Sequence, residues 1–392
     1  MSAIPAAAPA VPRNPGIDAL RGVSILLVVL HHLALRIPLR DTALGDWLPR
    51  RLLNALSYTG YEAVFVFFVT SGFLITTHSL ARWGSLHAID LRGFYVRRIA
   101  RIAPCLLLLL AVLSLMHLAG VPNYVIDKPT QSLGGALLSA LGLYLNWYEG
   151  QTGWLPGGWD VLWSLSIEEV FYIGFPLVCL LVRNRSVLVV LLSLLALSLP
   201  FTRSAIQGNE IWLEKAYLPG MAAIAAGVLA ALAVRRRCPA LRTANWLCAF
   251  GMFGIAAVLL YGGPLWQVLR DGMMLVLTVS AASLLVGLHA RALHGHARSV
   301  AGLGWLRAMG RLSYEIYLTH MFVVFGLVGL HQAMGGQVRS GFWWYIPLVL
   351  LCWALGAALA RGFSEPCDAA LRRRWLASTR EAAVSTVDRA PP

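Results

Sequence analysis

The chain has 392 residues, 58% of them hydrophobic and only 13% charged, and carries a formal net charge of +14. A soluble domain holds roughly a quarter charged residues, so this composition excludes a water-solvated globule and calls for lipid as solvent. The basic excess does not indicate nucleic acid, because Lys and Arg sit in short loops between apolar runs and not on one soluble face, as positive-inside topology requires.

Residues 1–16 are rich in Ala and Pro and are expected to form an unordered tail. The first apolar run lacks a small-residue cleavage site and is read as a retained helix. Spans are expected at 17–37, 60–80, 103–120, 161–182, 186–202, 213–234, 246–263, 271–290, 312–330 and 342–361, each near the ~20 residues that a bilayer needs. The stretch 133–148 is apolar but Gly-rich and ends in Asn146, Trp147 and Tyr148, which suit an interface, so it is read as re-entrant or interfacial. That choice places 23 of the 32 Lys and Arg residues on one side and makes both termini cytoplasmic; a crossing at 133–148 would put Arg235, Arg236 and Arg237 outside. The fold class is thus an all-α integral membrane protein of about ten spans in one domain, 17–366, followed by a polar cytoplasmic tail, 367–392, expected to be unordered after Trp375. The six cysteines have neither paired spacing nor a Cys-x-x-Cys motif, so neither disulfides nor a metal are implied.

Titratable groups inside spans are costly and default to functional candidates. Arg21 and His32 lie eleven positions apart, three turns on one helical face, which aligns a cation near the interface with an imidazole deeper in the bilayer. Such an imidazole can act as a general base on a hydroxyl or carry a proton or acyl group; the plainer reading is a hydrogen bond between helices. His31 points about 100° away. Asp18 is placed to pair with Arg21. Ser164, Glu168 and Tyr172, at i, i+4 and i+8, form one polar stripe that could orient the imidazole or bind acceptor hydroxyls, with Glu169 better suited to a cap or interfacial pair. Arg97 and Arg101 share a face suited to phosphates, although a topology signal or anionic-lipid contact uses the same charges. Ser71-Gly72 allows close approach of a helix or a thin ligand. His320 lies two turns into its span and can bind substrate or pack structurally.

Taken together, the order of these motifs resembles the membrane acyltransferase 3 family. The resemblance rests on Arg21-x10-His32 within Ile17-Asp18-Ala19-Leu20-Arg21-Gly22, Phe67-Phe68-Val69-Thr70-Ser71-Gly72-Phe73, Arg97-Arg98-x-x-Arg101-Ile102-x-Pro104, Trp163-Ser164-Leu165-Ser166-Ile167-Glu168-Glu169 and Ser313-Tyr314-x-x-Tyr317-Leu318-x-His320. It extends from about Ile17 to Glu365-Pro366. It implies a multi-pass bacterial inner-membrane enzyme that moves an acetyl or other short acyl group, with acyl-CoA as donor, to a hydroxyl of a saccharide or lipid-linked glycan. By the same resemblance, Arg21 and His32 are the essential pair, Arg97, Arg98 and Arg101 the arginine box, and Glu168 the membrane glutamate. His31 stands where members commonly carry an aromatic residue, and spacing favours His32 as the reactive ring. Some members continue into an extracytoplasmic esterase-like domain, so the acyl group is expected to go directly to the acceptor or to a separate extracytoplasmic partner protein.

The expected arrangement has CoA phosphates at Arg97, Arg98 and Arg101, the acyl arm passing Ser71 and Gly72, Ser164, Tyr172 and His320 contacting substrate, and Glu168 fixing the tautomer of His32. A multi-pass transporter or flippase is the alternative class, set against by the lack of repeated halves. In a sensor or scaffold the same polar residues would only lock helices together.

Overall fold

Every long apolar run in the sequence folds as helix, because within lipid the backbone can satisfy its hydrogen bonds only internally. The computed structural model describes residues 13–206, 208–297 and 299–387, and side chains as far as 376. Its helices, in chain order, are α1 (Pro15–Ala34), α2 (Arg50–Tyr58), α3 (Gly60–Trp83), α4 (Leu91–Leu118), α5 (Leu133–Leu141), α6 (Leu145–Thr152), α7 (Leu162–Leu181), α8 (Arg185–Leu197), α9 (Leu199–Ser204), α10 (Glu210–Lys215), α11 (Tyr217–Arg236), α12 (Leu241–Leu269), α13 (Gly272–Leu293), α14 (Gly304–Arg311), α15 (Ser313–Ala333), α16 (Tyr345–Leu359) and α17 (Glu365–Val387). Among the described residues, nine helical runs are long and apolar enough to cross a membrane. Over 186–202, where a further span is expected, the chain forms two consecutive helices, α8 of 13 residues and α9 of 6, and neither is among the nine. The protein is an all-α multi-pass membrane protein.

The segment expected to lie at the interface forms α5 and α6, of nine and eight residues. Each rises only about 12–14 Å, less than half of a hydrocarbon core. Of the expected N-terminal tail, residues 1–12 lie outside the described residues; helix α1 begins at Pro15, its first turn capped by the Asn14 side chain, which accepts from the amides of Gly16 and Ile17. At the other end, α16 passes through a π-helical turn, Ala360–Ser364, into α17, so the polar tail expected to be unordered after Trp375 is helical as far as Val387.

Glycines set the tightest helix crossings. A Cβ on Gly72 or Gly227 would collide with the backbone carbonyl of Ile224 or Val69, so α3 and α11 touch main chain to main chain. Gly22 and Gly310 bring α1 and α14 together in the same way. These contacts fix α3 on α11 and α1 on α14, whereas α12 leaves Trp246, Met252 and Phe253 exposed on the surface that faces lipid.

A candidate acyl-transfer site

Between α1, α3, α4, α7, α15 and α17 lies a cavity of about 670 Å³. Arg13, Arg21, Arg82, Arg97, Arg98, Arg101, Arg311 and Arg372 line it, together with Ser71, Ser164, Glu168, Tyr172, Tyr314 and Tyr317. The arginine box, Arg21, Ser71 and the Ser164/Glu168/Tyr172 stripe, read separately along the sequence, thus share one cavity. Gly72 does not: it is buried against α11, so its role is helix packing and not passage of a ligand.

Within the cavity the arginines are not equivalent. The Arg101 Nη1 lies 2.7 Å from the Glu315 carboxylate, whose side chain is 1% exposed, and donates to the Ser364 hydroxyl at 2.9 Å. Ser364 in turn donates to Glu315 at 2.8 Å, from the π-helical turn that swings it inward. Arg98 stacks 3.5 Å over the Tyr172 ring. Arg21 donates to Ser313 at 2.8 Å. Among the described residues Arg97 has no carboxylate within ion-pair distance, and it lines the cavity with Arg82, Arg13 and Arg311.

Glu168 accepts from the Tyr172 hydroxyl at 2.7 Å and from Ser71, which also contacts Tyr172. This corrects the expectation that Glu168 holds the His32 ring. His32 instead has the His320 and His31 rings as neighbours, at centroid distances of 5.0 and 5.3 Å.

Ser164 and Tyr317, which both line the cavity, have hydroxyls 2.7 Å apart. Beyond them sit the histidines. The His320 ring centroid is 5.7 Å from that of Tyr317 and 5.0 Å from that of His32. His320 is fully buried and does not face the cavity, so it is not placed to bind substrate there. His31 is engaged: its Nδ1 lies 3.0 Å from the Ser57 carbonyl, and a carbonyl only accepts, so that nitrogen carries the proton. His32 has neither ring nitrogen in a hydrogen bond among the described residues; its backbone carbonyl accepts from Arg36 at 2.7 Å.

Below the histidines is a buried polar cluster not anticipated from the sequence. Lys215 Nζ lies 2.8 Å from Glu149 and 2.7 Å from Asp160, and 4.5 Å from the centre of the Trp154 ring. Lys215 and Glu149 side chains are each 1% exposed. Burial pushes the Glu149 carboxyl up, with the Lys215 ammonium acting against it. Only a charge count along 145–152 and 210–215 could have hinted at this pairing, since the partners are far apart in the chain.

Fold and site together define a multi-pass membrane domain with a cationic cavity lined by serine and tyrosine hydroxyls; His32 and His320 do not line it, and His320 packs against Tyr317, which does. A family model described as an acyltransferase domain matches residues 14–362. The chain belongs to the acyltransferase 3 family. It is 28% identical over 376 residues to "Putative peptidoglycan O-acetyltransferase YrhL" of Bacillus subtilis, covering 90% of this chain and 54% of that protein. It is 29% identical over 174 residues to O-acetyltransferase OatA of Staphylococcus aureus, covering 44% of this chain and 25% of OatA. The chain therefore spans about half the length of the first relative and a quarter of the second. No solved structure matches.

Proposed function

We propose that this domain is a bacterial inner-membrane O-acyltransferase that moves an acetyl or other short acyl group from acyl-CoA to a hydroxyl of an extracytoplasmic saccharide, peptidoglycan-like or lipid-linked. The observation that carries the reading is the cavity itself, lined by eight arginines together with Ser164 and Tyr317, the latter one helical turn before His320, whose ring lies beside that of His32. CoA presents phosphates joined to a thin pantetheine arm, which suits guanidinium groups followed by a narrow hydroxyl-lined passage. Arg97 with Arg82, Arg13 and Arg311 is assigned to the phosphates. Arg98 and Arg101, already engaged with Tyr172 and Glu315, shape the passage.

In this reading the cavity opens to the cytoplasm, and the acceptor arrives from the other side. His32 takes the proton of the acceptor hydroxyl, the oxygen forms a bond to the acyl carbon, and the thioester C–S bond breaks. The proton is then returned to the thiolate to give free CoA. Arg21, held to Ser313, fixes α1 against α15 and so the depth of His32.

Purified protein in nanodiscs, incubated with acetyl-CoA, tests this by CoA release. A His32→Ala variant should lose at least about a hundredfold in turnover, the scale of a general base. Normal turnover by that variant, or no CoA release by folded wild-type protein with either acetyl-CoA or longer acyl-CoA and a peptidoglycan oligosaccharide, refutes the reading.

A further inference from the structure

The three histidines of the interior differ in how their rings are held. His320 Nδ1 lies 2.7 Å from the Tyr317 carbonyl, which can only accept, so Nδ1 carries the hydrogen and Nε2 is a bare acceptor. That Nε2 is buried without any hydrogen-bond partner, in a side chain that is 0% exposed. A buried acceptor left without a donor is costly, so the surroundings should offer it one. The nearby candidates are few. The His31 Nδ1 proton is taken by Ser57, and the Tyr317 hydroxyl is engaged with Ser164. His32 remains, its ring centroid 5.0 Å from that of His320 and tilted by 47°. A ring nitrogen lies about 1.1 Å from its centroid, so nitrogens turned toward each other across that gap would be about 2.8 Å apart, a hydrogen-bond distance.

We propose that His320 is the positioning residue for His32: its bare Nε2 accepts an N–H from the His32 ring, selecting one tautomer and leaving the other His32 nitrogen unprotonated and turned away from His320. The inference rests on the reading of His32 as the base. A neutral imidazole can protonate either nitrogen, and only one of the two forms presents a lone pair to an acceptor hydroxyl. The Tyr317 carbonyl thus sets the His320 tautomer, and His320 sets that of His32. The relay needs no charged group, which suits an interior where a second carboxylate would be costly to bury.

Two substitutions separate the acceptor from mere packing. His320→Gln keeps an amide oxygen able to accept where Nε2 lies. His320→Asn keeps a donor for the Tyr317 carbonyl and loses the acceptor. Both are prepared as the full chain with nitrogen-15-labelled histidine in lipid bilayers, and the His32 ring signals are assigned by comparison with His32→Ala. Wild type and His320→Gln should give a single neutral His32 tautomer, and His320→Asn a mixture. With acetyl-CoA, His320→Asn should lower kcat about tenfold with KM unchanged, while His320→Gln stays within about threefold. A His32 tautomer unaltered in His320→Asn, or equal loss of kcat in both variants, overturns the proposal. Failure of the base assignment has a different signature, normal turnover by His32→Ala, and leaves the tautomer measurement to decide the relay independently.

Discussion

Replacing Lys215 by Met removes the cation of the buried cluster that it forms with Glu149 and Asp160. The ammonium holds two carboxylates, Glu149 at 2.8 Å and Asp160 at 2.7 Å. Met keeps most of the side-chain volume over Trp154 but removes the charge. Asp160 is 28% exposed and retains water, whereas Glu149 is 1% exposed and is left as a buried anion without its cation. Breaking a buried pair from one side typically costs about 3–5 kcal/mol. Part of that is recovered if Glu149 takes up a proton, because burial already pushes its carboxyl upward and Lys215 is the main opposing influence. The sign of the pH dependence follows. A carboxyl raised in the folded state carries no penalty below its unfolded value; the penalty grows between the unfolded and the folded value and is complete above the folded one, so the Lys215→Met defect should shrink on acidification. Adding Glu149→Gln should restore about half of the lost stability by removing the buried charge. Reversible unfolding in mixed detergent micelles, followed by tryptophan fluorescence between pH 5 and 8, measures both. A Lys215→Met loss below about 1 kcal/mol, or a double variant no more stable than the single one, refutes the reasoning.

Three other outcomes test the site and its scaffold. Arg97→Ala should raise the KM for acetyl-CoA about tenfold with kcat nearly unchanged, and rising salt should narrow the gap to wild type; steady-state CoA release reads both. Gly227→Val forces α3 and α11 apart at Val69 and Phe73, so it should lower the unfolding temperature and broaden the size-exclusion peak in detergent, whereas Gly262→Ala, with nothing near its Cβ, should not. Glu315→Gln leaves Arg101 without its carboxylate; since that guanidinium is 29% exposed, the stability loss should stay near about 1–2 kcal/mol, with tighter acetyl-CoA binding by isothermal titration as the freed charge meets the cavity.

The class of protein was legible residue by residue. Hydropathy located the spans because lipid imposes helix on any apolar run long enough to cross, a constraint that acts locally along the chain. The same logic rejected 133–148 as a crossing, and the structure has two helices there that are too short. Arg21, Ser71, Ser164, Glu168, Tyr172 and the arginine box stood out as polar groups in an apolar context, and one cavity collects them. Which polar group meets which did not follow from the sequence. A membrane helix is apolar on the side that faces lipid and on the side that faces its neighbours, so periodicity does not say which face turns inward. Only the packed bundle puts Gly72 against Ile224, Glu168 on Ser71, Arg101 on Glu315, Lys215 between Glu149 and Asp160, and His320 beside His32. Those pairings join residues tens to hundreds of positions apart, and they are decided by how close the small residues let the helices come.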